Sequence, residues 1–189
     1  FTKTLEDVTH FNTLEHRTYD MGINQFSHLT DNEFANLYTS TSQKQLSVVD
    51  DSVGKFTTDI DWVIEGKVSS VKDQGTCDAG YAFSTTGLLE SYYLIKGTNY
   101  TLSDQQLVDC STSYGTKGCQ GGSRSGALNY VKDKGITFQA SYPWKGSQQA
   151  CKADGGTVKL PNYSQYTGCT PIGDALRVSP VSIAADASN

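Results

Sequence analysis

Residues 79–96, AGYAFSTTGLLESYYLIK, limit the fold more than any other stretch. The run has helical length and stops before Gly97, a residue type that closes helices. Ala82, Phe83, Leu88, Leu89, Tyr92 and Tyr93 cover most of its circumference instead of forming one stripe. A helix that is apolar on most sides must be enclosed. The rest of the chain therefore has to wrap it, and 189 residues suffice for one substantial core or two small ones.

Two further helices are expected beside it. LSDQQLVD (102–109) places Ser103 and Gln106 at capping-box spacing, and GALNYVKDKG (126–135) closes on Gly135. DIDWVIEGKVSSVKDQG (59–75) reads as extended. Residues 155–189 turn β-like, with PVSIAADAS (180–188) alternating apolar and small residues. Residues 1–39 read as helical pieces around a short extended stretch. Val8, Phe11 and Leu14 fall at helical spacing, MGINQF (21–26) alternates like a half-buried strand, and Thr30 with Glu33 forms a second capping-box pattern. Residues 40–58 are polar and without period, as a linker is. The boundary falls near Thr57, dividing the chain into 1–57 and 58–189.

Composition narrows the function classes. Hydrophobic residues make up 37% and charged residues 19%, which suits a globular chain and not a disordered one. The net charge is −5, against the clustered Lys and Arg that nucleic-acid binding needs, so no nucleic-acid partner is expected. The acidity is uneven: residues 1–58 hold eight acids and four bases, residues 59–189 twelve and eleven. No apolar run reaches the ~20 residues of a membrane span. Phe1 opens the sequence without an initiator Met and no leader is visible, so the expectation is of a processed product. The five cysteines form no CxxC pair and the three histidines all lie at or before position 28, so neither a metal site nor a cofactor is expected. Disulfides in an oxidising compartment fit better. The sequons at Asn99 and Asn162 agree with glycosylation on the secretory pathway, in a lysosome-like compartment or outside the cell.

QGTCDAGYAFS (74–84), LSDQQLVDC (102–110), GCQGG (118–122) and SYPWKG (141–146) stand in this order, preceded by IDW (60–62) and by GINQFSH (22–28). Together they resemble the papain family of cysteine peptidases, in its cathepsin-L-like branch with an inhibitory propeptide, over essentially the whole chain. The resemblance implies an α+β, two-domain fold. A helical left domain would carry the nucleophile at the start of its central helix. A β-rich right domain, incomplete in this sequence, would carry the histidine and asparagine. Residues 1–57 would be the propeptide, with Phe26 and the helix from Thr30 packed on the body and 40–58 extended along the cleft. The resemblance also implies the pairings Cys77–Cys119 and Cys110–Cys151, leaving Cys169 over. Gly121 and Gly122 would line the non-primed side of the cleft, although a tight turn beside Cys119 is the simpler reading and both can hold. His28 stands where the family has a propeptide aspartate, and it reads more simply as a surface histidine than as a pH switch.

The catalytic chemistry needs a thiolate, activated by imidazolium and by a helix N-terminus, and an oxyanion hole. Gln74 stands at the oxyanion-hole position. The nucleophile position is Gly80, which has no side chain to attack with. Cys77, one turn upstream, stands at a framework position and reads as a disulfide partner. Asp78, Ala79 and Tyr81 also depart from the family pattern QGSCGSCWAFS, as in a protein freed from catalysis. No histidine follows His28, and the family's histidine and asparagine would lie beyond Asn189. The expectation is an inactive homologue with a binding or structural role, its cleft holding a peptide, a protein or its own propeptide, with room for a place in a larger assembly. Two alternatives stay open: an active endopeptidase whose nucleophile was replaced at position 80, and a propeptide-type protease inhibitor.

Overall fold

The computed structural model describes residues 1–38, 60–153 and 155–184. The linker expected at 40–58, and its course along a cleft, lie outside the described residues. The chain divides into two compact units, with the break after Thr39.

The first unit holds helices α1 (Thr2–Asn12) and α2 (Asp31–Tyr38). The loop between them is held by side chains. The Asn12 amide donates to the Met21 carbonyl and its oxygen accepts from the Met21 N–H, both at 2.8 Å, and Phe11 stacks on Tyr19 with ring centroids 4.8 Å apart. The capping box at α2 is complete: Glu33 N–H donates to Thr30 Oγ1 (3.2 Å), and Thr30 N–H donates to Glu33 Oε2 (2.8 Å). Those Thr30 donors hold the Glu33 carboxyl below its usual range. The strand expected at MGINQF does not form. Asn24 Oδ1 accepts from the Phe26 N–H at 2.8 Å and Ser27 Oγ accepts from the Asn24 N–H at 2.9 Å, so the backbone curls into a turn. Leu14 lies just past α1 and is exposed.

The second unit is built on α3 (Gly80–Ile95), which packs against α4 (Asp104–Cys110) and α5 (Arg124–Lys134). A 3₁₀ turn (Thr112–Tyr114) joins α4 to the segment before α5. Ala82, Leu89, Leu102, Leu107, Val108, Tyr130, Val131 and Ile136 form its solvent-free core. Ser103 caps α4 by accepting from Gln106 N–H at 3.0 Å, but the reciprocal half of that box is absent. The Gln106 side chain instead donates to Tyr130 Oη and the Gly155 carbonyl and accepts from Thr137 N–H, tying α4 to α5 and the segment after it. Gly126 is needed for the approach of α5 to the 3₁₀ turn, since a Cβ there would stand 2.2 Å from the Tyr114 carbonyl oxygen. Gly135 closes α5 with φ 83°.

The described residues form four isolated bridges and no longer strand: Asp78 with Gln120, Leu102 with Phe138, Thr116 with Gly122, and Ile136 with Val158. The unit is thus helix-rich with few strands, as a papain-like fold with its β-rich part incomplete would be. Two extended readings are corrected. Residues 61–66 curl into turns, with Asp61 Oδ1 accepting from the Val63 and Ile64 amides. Within 155–189, residues Cys169–Leu176 form helix α6, whose first turn tolerates Pro171 because its N–H would lack an intrahelical partner. Residues 180–184 have no ladder partner and take no regular form. Trp62 Nε1 donates to the Leu176 carbonyl at 2.8 Å, fastening α6 to the 61–66 turn.

A charged cluster lies within this core. Lys72 Nζ reaches Glu90 Oε1 at 2.7 Å and Asp104 Oδ2 at 3.2 Å, and both carboxylates are buried. Ser69 Oγ and Leu102 N–H donate to Glu90, while Thr86 Oγ1 donates to Asp104. Burial pushes the Asp104 carboxyl above its usual range, with Lys72 and Thr86 holding it back. Replacing Lys72 by Met should cost about 3–5 kcal/mol, measured by urea denaturation, because two buried carboxylates lose their counter-charge. The pH dependence has a defined sign. A carboxyl raised on folding binds its proton more tightly in the folded state. Its contribution is greatest at low pH and is lost as pH rises from 3.8 through the folded value. The stability of the parent minus that of Asp104→Asn should fall over that window in pH-dependent denaturation.

Candidate functional site

The first residue of α3 is Gly80, and the site is assembled around it. The approach is set by Asp73, whose Oδ1 accepts the Gly75 N–H at 2.8 Å, and by Gly75 at φ 62°, a conformation that favours glycine. This turn leaves Gln74 half-buried beside the helix start. A Cβ built on Gly80 would meet only one atom within 4 Å, Gln74 Oε1 at 3.8 Å, and Gly80 itself is exposed. The backbone at Gly80 is helical, so nothing local demands glycine there.

The opposite wall is a glycine turn. Lys117 N–H donates to the Gly121 carbonyl (2.8 Å) and Gln120 N–H to the Lys117 carbonyl (3.0 Å), with Gly118 at φ 59° and Gly121 at φ 88°. The Cys77–Cys119 disulfide, with Cα atoms 4.6 Å apart, holds this turn against the start of α3. Asp78 N–H donates to the Cys119 carbonyl at 3.1 Å, and Asp78 pairs in parallel with Gln120. Gly122 has no room for a side chain: a Cβ would lie 2.9 Å from Thr116 Cβ and 3.0 Å from Tyr81 Cδ1. Tyr81 fills the space behind, donating its hydroxyl to the Gly118 carbonyl at 3.1 Å. Burial pushes its phenol up to about 12, so it remains a neutral donor.

Gln74, Cys77, Gly80, Cys119, Gly121 and Gly122 thus converge on one place. The Cys110–Cys151 disulfide lies apart from it, at the end of α4. Cys169 is an exposed free thiol. Asn99 and Asn162 are exposed, with Asn99 just past the C-terminal end of α3, about 24 Å along the helix from Gly80. Among the described residues no three His, Cys, Asp or Glu side chains group as a metal site would, and no helix is long and apolar enough to cross a membrane. Two features escaped the sequence reading. One is the Lys72–Glu90–Asp104 cluster, whose signal was a glutamate inside an otherwise apolar helix. The other is the place of Asp78. Its Oδ2 lies 3.0 Å from the position a Gly121 Cβ would take, so the carboxylate rests on the glycine turn.

Comparison with known proteins matches this arrangement. The family model described as papain family cysteine protease matches residues 56–189, and that of the cathepsin propeptide inhibitor domain (I29) matches residues 1–34. A cathepsin L-like proteinase of Phaedon cochleariae is 41% identical over 159 residues, covering 79% of this chain and 49% of the relative. Cathepsin L1 of Drosophila melanogaster is 37% identical, covering 91% and 52%. Among solved structures, a recombinant stem bromelain precursor superposes with a TM-score of 0.66 at 34% identity, covering 83% of this chain and 52% of its own. The digestive procathepsin L 3 of Tenebrio molitor larval midgut does so with 0.65 at 33%, covering 80% and 51%. The chain spans about half the length of these relatives. On the glycine turn, the disulfide across it, the helix it faces and these matches, the chain belongs to the papain family of cysteine proteases and carries a cathepsin-type propeptide region.

Proposed function

We propose that this chain is a catalytically inactive papain-like homologue that holds a peptide or protein segment in its cleft without cutting it. The observation that carries this reading is the space at Gly80. The site has room for a nucleophilic side chain beside Gln74 and presents none. Acyl transfer needs a thiolate at that point. The neighbouring Cys77 is committed to its disulfide and has no thiol to offer. Gln74 and the amides at the start of α3 can still orient a carbonyl, because oxyanion donors act without the nucleophile. In this reading Gly121 and Gly122 form the wall along which the bound backbone runs. Two disulfides and two exposed sequon asparagines support an oxidising, secretory or lysosome-like compartment.

The same space favours a second reading. A cysteine at position 80 would fit without a clash, giving an active endopeptidase, and the codon at this position in the source gene separates the two. The purified chain should not turn over fluorogenic peptides between about pH 4 and 8, the range in which histidine titrates. An alkylating epoxide should leave residues 74–84 unlabelled. Turnover that survives purification and disappears in Cys77→Ser would overturn the inactive reading.

In this reading residues 1–57 are an inhibitory prosegment that stays with the body, 58–189, since no self-cleavage can remove it. Limited proteolysis between the two should leave them co-eluting in native buffer. Separation after a single nick would show that the prosegment is not the cleft's occupant.

A further inference from the structure

We propose that Asp78 makes the cleft selective for a cationic side chain, Lys or Arg, on the bound peptide. This rests on the reading of Gly80 and the Gly121–Gly122 turn as two sides of a peptide-holding cleft. Asp78 stands between them. It lies two residues before Gly80, is bridged to Gln120, and its Oδ2 is 3.0 Å from where a Gly121 Cβ would be. The strap that places it is rigid, with the Cys77–Cys119 disulfide on one side and the Asp78 N–H to Cys119 carbonyl bond on the other. The side chain is half-exposed, and no hydrogen bond or ion pair among the described residues holds its carboxylate. Carboxylates with structural duties here are satisfied: Glu90, Asp104 and Asp109 each accept from two or more groups. Among the described residues Asp78 is therefore a carboxylate without a partner beside the glycine turn.

A peptide whose carbonyl faces Gln74 would bring the side chain of that residue toward Gly121, where the carboxylate covers the turn. An apolar or acidic side chain there meets a charge that it must desolvate or repel. A lysine or arginine supplies the missing counter-charge, with arginine able to bond both oxygens. Asp78 has no positive φ, so its replacement by other residues is free of backbone strain.

The test uses the full chain, intact and nicked between its two units. Fluorescein-labelled hexapeptides identical except for Arg, Lys, Leu or Glu at one position are titrated by fluorescence polarisation. The Arg and Lys peptides should bind about two- to fivefold tighter than the Leu peptide, the scale of a partly exposed ion pair. The Glu peptide should bind weakest. Asp78→Asn should bring the four affinities together, weakening the Arg and Lys peptides and relieving the Leu and Glu peptides, with the melting temperature nearly unchanged, and Asp78→Lys should shift the preference to the Glu peptide. Equal binding of all four peptides by the parent would overturn this proposal alone. A uniform gain for every peptide in Asp78→Gly would do the same, by making Asp78 a steric plug. Failure of every peptide, in excess large enough to compete with a retained prosegment, to bind the nicked chain or displace its 1–57 segment would overturn the peptide-holding reading, and this proposal with it.

Discussion

Lys72 is the side chain on which the geometry of this molecule turns. Its ammonium enters the core between Glu90 of α3 and Asp104 of α4, joining the extended segment before the site to the two helices beneath it. It is the counter-charge that both buried carboxylates share, and Thr86, Ser69 and the Leu102 amide complete the acceptors' partners. Such a cluster contributes little net stability compared with an apolar packing of equal volume. Removing one partner of it costs far more, because a buried charge is then left uncompensated. Gln74 lies two residues past Lys72, so the anchor of the core also anchors the approach to the site.

The other wall depends on a covalent constraint and on missing side chains. The Cys77–Cys119 disulfide and the bridge at Asp78 bring a glycine turn to the start of α3. Gly122 must be glycine because Thr116 and Tyr81 already occupy its Cβ position. Gly80 is a glycine of another kind. Its backbone is ordinary helix and its Cβ position is open, so packing does not explain it. The absence of a side chain there is a chemical fact about the site and leaves the fold untouched.

Some of this was legible in the chain before any coordinates. The enclosed helix was expected at 79–96 and stands at Gly80–Ile95, because an all-round apolar run has no other stable placement in water. The Thr30–Glu33 box formed as its spacing implied, since its bonds span three residues and need no distant partner. The Ser103–Gln106 box formed only in half, because Tyr130 and Gly155, far along the chain, claimed the Gln106 side chain. MGINQF misled because its alternation is only half of what a strand needs. Alternation predicts a strand only where a partner strand exists, and Asn24 and Ser27 offered their local backbone a competing set of bonds.

The sequence by itself determined that the segments of α3, α4 and α5 could be helices and roughly where each stops, and which residue stands at the head of the central one. Those properties follow from side-chain period and from hydrogen bonds reaching three or four positions along the chain. Tertiary structure alone decided that Lys72 meets Glu90 and Asp104, that Tyr81 lies behind Gly122, and that the Asp78 carboxylate rests on Gly121. Each of these joins groups 18 to 43 residues apart, where no local rule links one residue to the other. The enclosure of α3 and the Cys77–Cys119 disulfide together bring them into contact.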